Sequence, residues 1–130
     1  MSFVPFQEEK IWGSVVHLFS NPHACVSMLR VEKDSYCSVH RHQARANQFA
    51  VQSGQITVSM YGGGDKPDFK NTESLKLRPG DTFAVPSGIW HRFAVDHSGH
   101  VVEVYWSDTE GETCRLDDIQ RFCEGGKFNS

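Results

Sequence analysis

At 130 residues the chain has the length of one domain, and enough of it to bury a core without disulfide or metal staples. Its 38% hydrophobic and 22% charged residues fit a water-soluble globular protein, and a formal net charge of −3 argues against nucleic acid or an anionic membrane surface as a partner. No apolar run approaches a membrane span and no secretory leader precedes the first polar residues, so the expected location is cytoplasmic. The four cysteines (Cys25, Cys37, Cys114 and Cys123) are scattered and form no Cys-x-x-Cys pair. They read as free thiols of a reducing compartment, too widely spaced for a zinc site.

In chain order, residues 1–11 read as an N-terminal arm or a first edge strand. Residues 12–19 have strand character, and Ser20-Asn21-Pro22-His23 is a turn cluster. Residues 24–32 alternate as a strand does, and Lys33-Asp34-Ser35 turns the chain. Strands follow at 37–42, 47–53 and 56–61, with Gly54-Gln55 as a hairpin link between the last two. Residues 62–74 are polar, with a Gly62-Gly63-Gly64 tip and Pro67, and read as an exposed loop. Short strands at 75–78, 82–85, 90–95 and 101–106 come next, separated by turns at Pro79-Gly80-Asp81 and Asp96-His97-Ser98-Gly99. Residues 117–122 fit either a strand or a helical turn. About nine or ten short strands with no long helical period predict an all-β sandwich or barrel, one domain over 1–130.

The chemistry gathers at Val39-His40-Arg41-His42-Gln43-Ala44-Arg45-Ala46-Asn47. On a strand the period of two puts His40 and His42 on one face, roughly 7 Å apart, where they can grip one metal ion. A third histidine, His91, arrives about fifty residues later in Pro86-Ser87-Gly88-Ile89-Trp90-His91.

These residues resemble the two short metal-site motifs of the cupins, small jelly-roll barrels. Of the first motif, G-x5-H-x-H-x3,4-E-x6-G, His40, His42 and Gly54 are present; Asp34 replaces the opening glycine and Asn47 the glutamate. Of the second, G-x5-P-x-G-x2-H-x3-N, Gly80, Pro86, Gly88 and His91 are present, and Val95 replaces the asparagine. The motifs span residues 40–54 and 80–95, and the fold they imply is a double-stranded β-helix barrel. More narrowly, the chain resembles the cupin domain of type II mannose-6-phosphate isomerases. The resemblance rests on Trp12-Gly13-Ser14, on Arg45-Ala46-Asn47-Gln48-Phe49 over that family's Arg-Ala-Glu-His-Trp, and on His91-Arg92. It continues at Val102-Glu103-Val104 and Asp117-Asp118-Ile119-Gln120-Arg121-Phe122. There is no room for that family's guanylyltransferase domain. The resemblance implies a small-molecule substrate, a sugar or sugar phosphate, and a homodimer formed through edge strands or N-terminal arms.

Three imidazoles suit one divalent ion, and Zn, Fe, Mn, Ni and Co all remain open. A fourth ligand would be the amide oxygen of Asn47, or of Gln48. A neutral amide leaves one more net positive charge than a carboxylate, so the site binds ions less tightly and polarises a bound oxygen more strongly. The competing reading keeps the histidines as packed or hydrogen-bonded residues of a barrel without metal. Arg45 is either a bidentate clamp for phosphate or carboxylate, or a solvated loop arginine. Glu103, in an apolar run, is either a pocket general base or a solvent-facing edge residue. Arg92, next to His91, points away from the metal face. Tyr61 and Tyr105 are either pocket hydroxyls or, the favoured reading, core or rim packing, and His17, His23, His97 and His100 read as surface. Phe49, Val51, Phe83, Val85, Phe93 and Val95 are expected in the core under any reading.

Three functions fit: a metal-dependent isomerase or epimerase, with the three histidines holding the metal, Glu103 as base and Arg45 as anion clamp; a three-histidine metal dioxygenase; and a non-catalytic cupin that binds a small molecule.

Overall fold

The computed structural model describes residues 3–128; Met1 and Ser2 of the expected arm and Asn129 and Ser130 at the other end lie outside the described residues. The strands are β1 (Phe6–Lys10), β2 (Gly13–Ser20), β3 (Ala24–Val31), β4 (Ser35–Tyr36), β5 (Val39–Arg41), β6 (Arg45–Val51) and β7 (Gln55–Gly63). They continue as β8 (Pro67–Leu77), β9 (Thr82–Val85), β10 (Trp90–His97), β11 (Gly99–Ser107), β12 (Gln120–Cys123) and β13 (Gly126–Lys127). No helix occurs among the described residues, and none is therefore long and apolar enough to cross a membrane.

All pairings are antiparallel, in two sheets. One runs β1-β2-β3-β11-β6-β9. In the other, β10 is central: β7 and then β8 lie on one side, and β5 and β4 lie end to end on the other, followed by β12 and β13. From β3 onward most connections carry the chain from one sheet to the other, as in a jelly roll.

The inward faces divide into two levels. Val51, Val95 and Val101, with Phe49 and Phe93 beside them, belong to the apolar core. Trp12 packs edge-on against Phe93 with ring centroids 5.1 Å apart. Two residues further along the same faces the side chains become polar: Asn47 on β6, His91 on β10 and Glu103 on β11. The core plugs one end of the barrel and leaves the other end for chemistry. Of the expected core residues, Phe49, Val51, Val85, Phe93 and Val95 are buried, and Phe83 packs half-buried against them.

Several local expectations change. Residues 62–74 are not a loop; most of them lie in β8, which pairs with β7 over Gly63↔Pro67 to Ile56↔Leu77. Between its buried ends, β8 is exposed on both faces, so no alternation marked it. Gly54-Gln55 is not a hairpin link, because β6 and β7 lie in different sheets; it is a corner with Gly54 at φ 78°. Residues 117–122 turn and then enter strand β12, the strand expected at 37–42 is shortened to β5, and β4 forms just before it, taking in Ser35 of the expected turn. Residues 6–10 form the edge strand, not a free arm. His17 is half-buried, 3.2 Å from Glu8 and 3.1 Å from the Ser27 hydroxyl, whereas His23, His97 and His100 are exposed as expected.

Gly13 explains the opening Trp-Gly-Ser. Its φ is +145°, and a Cβ there would stand 1.8 Å from the Arg30 carbonyl oxygen on β3. Gly13→Ala should therefore destabilise the fold by at least about 3 kcal/mol, read by urea unfolding. A loss under about 1 kcal/mol would mean that β2 and β3 separate there at little cost.

Candidate metal centre and its cavity

Strand register brings the three histidines together. His40 on β5 lies opposite His91 on β10, and His42 follows just beyond the end of β5. The ring centroids are 5.1 Å (His40–His42), 4.5 Å (His40–His91) and 5.4 Å (His42–His91) apart. Their ligand atoms lie within 4.8 Å of one another, and all three residues are buried. The Gly88 amide donates to the His42 carbonyl at 2.7 Å, tying the two motifs directly together.

Each ring has its tautomer set by a backbone carbonyl. Nδ1 lies 2.8 Å from the Ser38 oxygen in His40, 2.6 Å from the Asp118 oxygen in His42 and 2.8 Å from the Ile89 oxygen in His91. A carbonyl only accepts, so each Nδ1 carries the proton and each Nε2 presents a lone pair. The Nε2 atoms of His42 and His91 are buried without any partner. Carbonyl-oriented imidazoles with orphaned Nε2 atoms fit a divalent ion; a packed histidine without metal would have both nitrogens satisfied.

Burial keeps the rings neutral. It pushes His42 down to about 3, helped by the Arg45 charge, and His91 to about 4 against the pull of its carbonyl; His40 lies well below the ordinary value, through burial and the two other rings. Between the ordinary value of 6.5 and about 4, the unfolded chain takes up protons here that the folded chain refuses. The metal-free protein should thus lose stability as pH falls through that window, with a shift like that of His91 worth about 3 kcal/mol. Thermal unfolding of metal-free protein against pH reads this directly. A flat profile over the window would mean that the rings titrate normally.

The remaining site residues come from the other sheet. Asn47 is buried on the inward face of β6, and its Nδ2 donates to Glu103 Oε2 at 3.0 Å. A carboxylate accepts, so the amide nitrogen faces Glu103 and Oδ1 faces away from it. Gln48 stands on the opposite face of β6 and is only partly buried, so it does not share the inward face with Asn47. Glu103 is buried, not solvent-facing. Burial raises its pKa, while the Tyr105 hydroxyl, the Arg45 charge and the Asn47 amide pull the other way.

Arg45 is not a solvated loop residue; it is 3% exposed. Its guanidinium carbon lies 3.8 Å above the centre of the Tyr105 ring, Nε donates to the Asp118 carbonyl at 3.2 Å and Nη2 to the Leu116 carbonyl at 3.3 Å. Nη1 is buried without a partner. Arg92 points away from the three rings, with its guanidinium over Tyr36. Tyr105 takes the pocket side of its two expected roles and is a wall of the site: its ring meets His42 edge-on at 5.3 Å and carries Arg45 on a face. Tyr61 packs with Val39 and Trp90, away from the three rings. Asp118 was missed by side-chain reasoning. Its carbonyl holds His42 and Arg45, while its carboxylate accepts the Gln43 and Ala44 amides at 2.8 and 2.9 Å. His40, Arg45, Glu103 and Tyr105 all line one cavity of about 1090 Å³, floored by Phe49 and Phe93, and His42 lines a second of about 680 Å³.

The cupin-domain family matches residues 27–108, more than half of the chain. The chain belongs to the cupin family. No curated protein matches this cupin in sequence. Among solved structures, KdgF from Halomonas sp. is 17% identical with a TM-score of 0.60, over 75% of this cupin and 80% of that chain. CapF, a capsular polysaccharide assembling protein from Staphylococcus aureus, is 16% identical with a TM-score of 0.66 over 92% of this cupin. Oxalate decarboxylase from Bacillus subtilis is 17% identical with a TM-score of 0.65 over 89%. The cupin spans about a third of those last two chains, 32% of each. At such identities the likeness is one of fold.

Proposed function

We propose that this cupin is a metal-dependent isomerase or epimerase of a sugar or sugar phosphate, of the mannose-6-phosphate isomerase type. The carrying observation is that His40, Glu103 and Arg45 open onto one cavity. His40, His42 and His91 would hold the metal through Nε2, and Asn47 Oδ1 would be the fourth ligand. A divalent ion there supplies Lewis-acid polarisation of a carbonyl. Glu103, raised by burial, takes a proton from the carbon beside that carbonyl and returns it. The Nη1 of Arg45 donates to a substrate phosphate or carboxylate, and its stack on Tyr105 fixes the fork in place. Exposed Phe6, Leu18 and Phe19 on β1 and β2 support a homodimer through that edge.

Zinc-loaded protein incubated in D₂O with aldose and ketose phosphates should place deuterium at the carbon next to the carbonyl. A second reading has a specific observation behind it: the metal-type cluster among the described residues holds three histidines and no carboxylate, which suits a three-histidine dioxygenase. Oxygen uptake by the ferrous protein with no deuterium incorporation by the zinc form would replace the isomerase with that reading.

Asn47→Glu sets a second carboxylate beside Glu103. It should tighten divalent-metal binding at least about tenfold, since one charged donor replaces a neutral one. It should also lower the stability of the metal-free form through repulsion between the carboxylates. Isothermal titration reads the first effect and thermal unfolding the second. Unchanged metal affinity would remove Asn47 from the ligand set.

A further inference from the structure

Residues 108–119 form the long connection between β11 and β12. The Leu116 and Asp118 carbonyls in it accept from Arg45, and Asp118 also accepts from His42 and from the Gln43 and Ala44 amides. This segment is pinned to the barrel at Cys114, whose amide donates to the Pro22 carbonyl at 2.8 Å. Cys114 Sγ lies 3.3 Å from Cys25 Sγ on β3, 89 residues away in the chain. Both thiols are buried, and they pack with Tyr105 and Leu116 in a small cluster separate from the main core. Tyr105 is the ring that bears on His42 and Arg45, so the thiol pair sits directly behind the wall of the site.

We propose that Cys25 and Cys114 are an oxidation site, and that closing a disulfide between them locks residues 108–119 onto the barrel. Neither the ion nor the isomerase chemistry is needed for this. A disulfide requires the sulfurs to approach to about 2.05 Å, a short closure from their present separation. Hydrogen peroxide is the oxidant. One thiolate attacks a peroxide oxygen, the O–O bond breaks and, with a proton, the leaving oxygen departs as water. The second thiolate attacks the sulfenic sulfur, the S–O bond breaks, and the S–S bond forms as a second water leaves. Two electrons pass from the sulfurs to peroxide, and the two thiol protons end in water. Burial pushes the Cys114 thiol up to about 12, so the packed segment protects the pair, and oxidation follows its opening. Once closed, the bond holds the backbone that orients His42 and Arg45.

The test uses the Cys123→Ser protein, which removes the exposed thiol and leaves Cys25, Cys37 and Cys114. After hydrogen peroxide treatment at mildly alkaline pH, the thiol count in denaturant should fall from three to one. The mass should drop by about 2 Da, the signature of a disulfide. The melting temperature should rise by about 5 to 10 °C because a long loop is closed. Hydrogen exchange at the Gln43 and Ala44 amides should slow, and a reductant should reverse every change. Adding Cys114→Ala, or Cys25→Ala if that variant fails to fold, should abolish the mass loss. A count that stays at three, added oxygen without the mass loss, or a peptide map joining Cys37 to either partner would overturn the proposal.

Discussion

In the His40→Ala, His91→Ala double variant, divalent-metal affinity falls by more than about a thousandfold. Partners that merely orient a ligand histidine are worth about 10- to 100-fold each, so two lost ligands must cost more than that combined. The two rings face each other across the β5–β10 register, with centroids 4.5 Å apart, so their loss leaves His42 alone on its side of the site. The fold should survive. The strand pairing is made by the backbone, and the variant no longer has to keep two rings buried and neutral below their ordinary pKa. Zinc at a thousand times its dissociation constant should stabilise the parent by about 4 kcal/mol and the variant by almost nothing. Equal zinc-induced shifts in melting temperature for the two proteins would put the ion elsewhere.

The second large effect is on turnover. Glu103→Gln should lower the rate of deuterium incorporation by about 10²- to 10⁴-fold, the contribution of a positioned acid–base group. It should leave metal affinity within a few-fold, because Glu103 is not among the histidine ligands. Glutamine preserves the shape and can still accept from the Asn47 amide, now 3.0 Å from the carboxylate, so the expected loss is chemical and not structural. Arg45→Lys separates the other role. It keeps a cation but removes the fork held by Leu116 and Asp118, so KM for a phosphorylated substrate should rise more than kcat falls. If Glu103→Gln keeps full exchange activity, the base lies elsewhere on the wall.

Much of this site was legible before any coordinates, because it is built from side chains at fixed spacing. The His-x-His pair with its closing Gly54, and the Pro-x-Gly-x-x-His run with its opening Gly80, carry both the jelly roll and the three-histidine cluster. Even the departure at Asp34 is informative: where the motif has glycine, Asp34 adopts φ 65°, the left-handed conformation that glycine normally supplies there. What stayed hidden falls under three physical causes. Strand β8 is polar on both faces, so it carries none of the alternation that betrays a half-buried strand. Gly54 turns the chain between sheets, and a two-residue link looks the same whether or not its flanking strands pair. Leu116 acts through its backbone carbonyl, which any residue possesses, and Asp118 holds His42 and Arg45 in the same way; its carboxylate reaches the Gln43 and Ala44 amides only through the fold, from more than seventy residues away. The Tyr105–His42 contact and the Cys25–Cys114 pair join residues far apart in the chain, at separations that spacing alone does not reach.

The central claim is that three neutral imidazoles, each aimed by a carbonyl, hold one divalent ion beside the larger cavity, which His40 lines. Its most direct test is elemental analysis of the purified protein, before and after stripping and reloading with divalent salts. One ion per chain is predicted, absent from the His40→Ala, His91→Ala variant. No bound ion in the parent after reloading would contradict the account and leave a barrel whose histidines only pack.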